Sequence, residues 1–145
     1  QFLDAMAPDG DDVIREMEAH GETHGPTTVG RPVGQLLRVI TGLSGAERVF
    51  EFGSGYGYSG YWFVLGGAEV VLTDVDEPTL DRAREFFEQG GLADRATFEL
   101  GDAHEAFDRH EGPFDVVFID HDKERYAEAF SPKTPDTFLD WRTIL

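Results

Sequence analysis

A chain of 145 residues, 40% of them apolar, is long enough to bury one domain core and too apolar to be disordered throughout. Its 29 acidic residues against 12 basic ones leave a formal charge of −17, a surface that repels nucleic-acid phosphate and anionic membranes. The absence of cysteine excludes a disulfide framework, a thiolate nucleophile and a sulfur-ligated metal site; with no bilayer-length apolar run and no visible signal peptide, a cytoplasmic protein is expected.

Lys123 and Lys133 are the only lysines. Such a composition is halophile-like, because carboxylates stay hydrated in brine and their repulsion is screened within ~3 Å at about 1 M salt. Loss of structure on dialysis to low salt is therefore expected, and an unchanged circular dichroism spectrum would count against it.

In chain order, Val13, Ile14 and Met17 predict a short amphipathic helix capped by Asp11 or Asp12. Residues 20–29 contain Gly21, Gly25 and Pro26 and read as a loop, so His20 and His24 are not expected to align as metal ligands. Pro32 opens a second helix whose buried face is read as Val33, Leu36, Leu37, Ile40 and Leu43, ending at Gly42 or Gly45. Strands are predicted at residues 48–52, 69–73, 96–100 and 114–119. Between them fall a helix from Glu77-Pro78 with Leu80, Ala83, Phe86 and Phe87 inward, and a turn with a short helix over residues 101–109. Further helices are expected over residues 123–130 and 136–145, separated by the break SPKTP.

Strands alternating with helices give an α/β fold, a parallel sheet with helices on both faces. One domain is expected over residues 1–145: N-terminal helices forming a cofactor cover (1–47), a core (48–130) and an atypical tail (131–145).

The stretch VFEFGSGYGYS, Val49–Ser59, is a strand, a glycine turn and a helix start. Glycines at 53, 55 and 57 allow a ligand to approach the backbone, and the helix behind them presents free N–H groups. Glu51 adds an acid at the strand end, which suits a ligand carrying both an amine and a carboxylate. In an open parallel sheet, ligands bind beyond the carboxyl ends of the strands. The other three ends carry Asp74 and Asp76, Gly101-Asp102-Ala103, and Asp120-His121-Asp122-Lys123. Asp74 is placed to accept ribose hydroxyls, or is a solvated loop carboxylate; Asp102 and Ala103 flank an adenine, or form an ordinary turn. Residues 120–123 bring further polar side chains to the same rim.

Two nucleotide readings compete. Gly55, Gly57 and Gly60 fit GxGxxG, with Asp74 at the distance expected for a nicotinamide-dependent dehydrogenase. Glu51, Gly53, Gly55 and Gly57 fit ExGxGxG, and an acid beside the turn suits cationic S-adenosylmethionine better than a pyrophosphate. The second reading is preferred.

On these motifs the chain resembles the cation-dependent O-methyltransferases, the family of the catechol and caffeoyl-CoA enzymes, with a Rossmann-like class I methyltransferase fold. The resemblance spans about residues 27–130. It implies that TVGRPVGQLL crosses the cofactor with Val29 in contact, and that Ser59 holds the methionine carboxylate. It places Asp74 on the ribose, Asp102 and Ala103 by the adenine, and His121 against the cofactor. IDHDKERY is its most specific piece, implying Asp120 as the Mg²⁺ ligand and Lys123 as the base. A cation lowers the acceptor hydroxyl's pKa and orients it, and a lysine of depressed pKa takes the proton.

The family's adjacent Asp-Asn pair of metal ligands and its last strands are not found in residues 136–145, so the Mg²⁺ ligand set is incomplete and a truncated or altered version is expected. An unpaired edge beside the fourth strand then favours self-association, as a homodimer. The expected activity is S-adenosylmethionine-dependent O-methylation of a small hydroxylated, catechol-like acceptor. A non-catalytic S-adenosylmethionine-binding or oligomerising module is the alternative.

Overall fold

The computed structural model describes residues 11–25 and 28–120. The helices expected over 123–130 and 136–145 lie outside the described residues, as do His121 and Lys123. Among the described residues no helix is long and apolar enough to cross a membrane.

The elements run α1 (Asp11–His24), α2 (Arg31–Ser44), β1 (Arg48–Phe52), α3 (Tyr58–Leu65), β2 (Glu69–Asp74), α4 (Glu77–Gln89), a 3₁₀ turn (Ala93–Arg95), β3 (Ala96–Leu100), α5 (Ala103–Arg109) and β4 (Val116–Ile119). The described strands form one parallel sheet ordered β3-β2-β1-β4. Glu51 stands between Leu72 of β2 and Phe118 of β4. The chain walks outward from β1 to β3 and then returns across β1 to β4. Right-handed crossovers therefore put α3 and α4 on one face and α5 on the other.

Side chains alternate across the strands and feed two cores. Val49, Val70, Leu72, Val116 and Phe118 pack with Met17, Tyr61, Phe63, Phe86 and Phe87 on the α1, α3 and α4 side. Phe50, Phe52, Val71, Val117 and Ile119 pack with Ala106 and Phe114 on the α5 side. Burying each large side chain stabilises the fold by about 1.5–3 kcal/mol. In α4, Leu80, Ala83, Phe86 and Phe87 are all buried, and Asp76 caps the helix by accepting from Thr79 N at 3.1 Å.

Two expectations are corrected. First, residues 20–24 are helical. Gly21 does not break α1, because the Tyr56 hydroxyl occupies the space where a Cβ would stand. His20 and His24 consequently do align, their rings stacked at 4.4 Å, with His20 edge-on to Tyr56 at 4.9 Å. They join no group of three or more metal-ligating side chains among the described residues.

Second, α2 buries only part of the expected face: Leu37 is inward as expected, but the face is shifted towards small residues. Gly34, Leu37 and Thr41 are buried, while Val33 (41%), Leu36 (55%) and Leu43 (84%) are exposed, as is Val39. The small residues won the contact because a Cβ at Gly34 would strike the Trp62 indole, and Gly66 fits against Thr41. Gly45 in the left-handed region ends the helix.

Candidate cofactor site

The glycine turn is bolted to β2 by Thr73. Its Oγ1 donates to Glu51 O at 2.8 Å and accepts from Gly53 N at 3.2 Å. Its carbonyl accepts from Ser54 N at 2.8 Å and Ser54 Oγ at 3.1 Å. Gly53, Gly55 and Gly57 take φ of 72°, 55° and 87°, a left-handed conformation that side chains with a Cβ resist. A Cβ at Gly57 would also lie 2.9 Å from the Phe87 ring, so this glycine serves packing as well as the turn. Gly60, the third glycine of the dinucleotide pattern, lies inside α3 against Leu72 and Glu51.

A cavity of about 120 Å³ opens above this turn. Gly53, Ser54 and Gly55 form its floor, and Tyr56, Tyr58 and Ser59 come from the start of α3 and the residues before it. Asp120 enters from the end of β4, and Thr28 and Val29 cover it from the α1–α2 connection.

The cover is tied down by three helices. Arg31 reaches Glu18 through Nε at 3.2 Å and Nη2 at 3.0 Å, and the Tyr58 hydroxyl donates to the same Glu18 at 2.7 Å. Burial, with Glu18 beside it, pushes the Tyr58 hydroxyl's pKa well above the usual phenol value.

Five of the expected site residues meet at this cavity: Val29, Gly53, Gly55, Ser59 and Asp120. Among the described residues, Glu51, Gly57, Asp74, Asp102 and Ala103 do not line it. Glu51 is 1% exposed and stands behind Ser59, whose hydroxyl donates to its Oε1. Burial first, then the Asp120 and Asp74 charges, push its pKa up to about 8. Asp74 holds the turn, accepting from Gly55 N at 3.0 Å on Oδ2 and from Asp76 N at 2.9 Å on Oδ1. Asp102 caps α5, accepting from His104 N at 2.9 Å and Glu105 N at 3.1 Å, with Ala103 as the first helical residue. Gly101 N donates to Asp74 O at 2.9 Å, so this second capped turn sits on the same rim.

Sequence reasoning missed Thr73, Glu18, Arg31 and Tyr58. Glu18 had a signal: it follows Ile14 by four residues, an acid on the apolar side of α1.

Mg²⁺ wants near-octahedral oxygen coordination. Asp120 offers one carboxylate, Glu51 is buried in its neutral range, and no group of three or more metal-ligating side chains occurs among the described residues. These residues by themselves do not fit a magnesium site.

The geometry agrees with comparisons to known proteins. A family profile described as O-methyltransferase matches residues 11–133. Catechol O-methyltransferase of Mycobacterium tuberculosis is 35% identical over 95 residues, which is 63% of this chain and 43% of that protein. The crystal structure of an O-methyltransferase from Bacillus cereus in complex with SAH superposes with a TM-score of 0.76 at 27% identity, covering 90% of this chain and 63% of that one. SAH-bound PaMTH1 of Podospora anserina gives 0.77 at 26%, covering 92% and 57%. The chain spans about half the length of the curated relatives it matches. With the profile covering most of its length and the same Rossmann-like sheet beneath the glycine turn, the chain belongs to the O-methyltransferase family.

Proposed function

We propose that this chain carries the cofactor-binding machinery of an S-adenosylmethionine-dependent O-methyltransferase acting on a small hydroxylated, catechol-like acceptor. The observation that carries the reading is the cavity itself. A glycine floor, the Ser59 hydroxyl and the Asp120 carboxylate meet in one space, and a hydroxyl donor beside an anion is the chemistry that the cofactor's carboxylate and ammonium call for. When bound, the cofactor supplies an electrophilic methyl group on a sulfonium.

The chain's own residues divide the work. Ser59 donates to the ligand carboxylate, and Asp120 offers its negative charge to the ammonium. Thr28 and Val29, held by Arg31 and Glu18, exclude water from above. Asp74 keeps the turn open by holding Gly55, and its charge faces the ribose side of the rim. Asp102 and Ala103 border the adenine side, and Gly57 keeps the helix start in place. His121 and Lys123 belong to the same proposal as a cofactor contact and as the base that takes the acceptor proton. Glu51 acts through Ser59. The acidic surface suits a cytoplasm of high salt.

Calorimetry with S-adenosylhomocysteine and with NAD tests the reading. Binding of the first and not the second is expected; the reverse would make the turn a dinucleotide site. Methyl transfer from labelled S-adenosylmethionine to a catechol then separates an enzyme from a binding module, which would bind without turnover.

A further inference from the structure

Ser59 has one hydroxyl proton and, at this site, two carboxylates that compete for it. One is Glu51, which the hydroxyl meets on its buried side. The other is the carboxylate of a ligand in the cavity, which Ser59 lines and Glu51 does not. An ionised Glu51 would keep the serine proton and leave only lone pairs facing the ligand carboxylate, acceptor against acceptor.

We propose that Glu51 is protonated in the resting protein and donates to Ser59 Oγ, turning the Ser59 O–H outward to hold the ligand carboxylate. This rests on the methyltransferase reading of the cavity. Glu51 is 1% exposed, and among the described residues only the Ser59 hydroxyl and the Gly60 N–H offer it hydrogen bonds, a costly arrangement for an anion. The neighbours across the sheet, Leu72 and Phe118, are apolar. The charges facing it are Asp120 from β4 and Asp74 from β2, both negative, and α3 brings only the Ser59 hydroxyl and the Gly60 N–H. Burial is the largest cause and both of these charges act with it; the Ser59 and Gly60 hydrogen bonds oppose it and are outweighed, which keeps the acid form in place up to about pH 8. Hydroxyl protons rotate to suit their partners, so the Glu51–Ser59 contact serves in either direction. Glu51 is thus a positioning residue that never touches the ligand, and no proton is lost on binding.

The test is calorimetry with S-adenosylhomocysteine, and with adenosine, which lacks the amino-acid end. It runs from about pH 6 to about pH 10 with EDTA present, so that no divalent cation neutralises Asp120. Glu51→Gln, a neutral donor of the same shape, is expected to match wild-type affinity below about pH 8. Above that, wild-type affinity for S-adenosylhomocysteine should fall relative to Glu51→Gln, by up to about tenfold per pH unit. The ligand's own ammonium titrates equally against both proteins, so their difference isolates Glu51. Adenosine should show no difference at any pH. Ser59→Ala should bind S-adenosylhomocysteine about tenfold more weakly and lose the pH response.

The inference is overturned if Glu51→Gln, with unchanged thermal unfolding, binds more weakly at neutral pH. It is equally overturned if wild-type affinity rises relative to Glu51→Gln above pH 8. Should Glu51→Gln not fold, the slope of the wild type against that of Ser59→Ala decides. Absence of S-adenosylhomocysteine binding at every pH removes the methyltransferase reading and this inference together; binding with the wrong pH response removes this inference alone.

Discussion

The ends of β1 and β2 lie side by side in one sheet, and each carries an acidic residue, yet the two acids live differently. Asp74 is half-buried, and each of its oxygens accepts a backbone N–H, from Gly55 and from Asp76. Glu51, one strand over, is sealed under α3 with, among the described residues, only the Ser59 hydroxyl and the Gly60 N–H beside its carboxyl. Burial is what pushes the Glu51 proton affinity up, against the two hydrogen bonds from Ser59 and Gly60. Both are carboxylic acids near the same rim, so burial and surroundings separate the acid that braces the turn from the one that serves as a neutral donor.

The comparison can be broken most forcefully at Glu51. The folded protein holds this proton up to about pH 8, whereas an unfolded glutamate releases it near 4.5. The stability this group contributes is therefore complete below 4.5, declines as pH rises through this window, and is lost above about 8. Glu51→Gln removes that loss. Near pH 9 it should stabilise the fold by roughly 2–4 kcal/mol, and near pH 4 by nothing, read as the difference in urea midpoints between variant and wild type. A variant less stable than wild type at pH 9 would mean that the ionised form is the one the fold wants.

Asp74→Ala should act in the opposite direction. It strips the acceptor from Gly55 N and Asp76 N, for a loss of about 2 kcal/mol and faster amide exchange at Gly55. No loss would mean that Thr73 holds the turn unaided.

The smallest effect is expected far from the rim. Leu43 is 84% exposed on α2, and Leu43→Gln should shift stability by less than about 0.5 kcal/mol. A larger loss would show that this apolar face is covered in solution.

Leu43 also marks where sequence reading stopped. The spacing of Val33, Leu36, Leu37, Ile40 and Leu43 predicts a helix with those residues inward, and the helix is there. Its orientation followed Gly34 and Thr41 instead, because only small residues let α2 approach Trp62 and Gly66. Periodicity carries the element and is blind to how closely a neighbour must come. The same blindness explains α1, where Gly21 reads as a breaker until Tyr56 is seen above it. At the cavity, Gly53, Gly55 and Asp120 could be placed because a strand end and a glycine turn have fixed places in a parallel sheet, whereas Val29 and Ser59 came from the family resemblance.

By itself the sequence determined the strands, their parallel sheet with helices on both faces and the rim to which polar residues are delivered. These follow from alternation, glycine placement and chain connectivity, which are local properties. Only the tertiary structure decided that Thr73 bolts the turn, that Glu18 gathers Arg31 and Tyr58, and that Glu51 lies behind Ser59 rather than beside the ligand. Each of those depends on which groups from distant segments surround a side chain and exclude water from it, and no window along the chain contains that information.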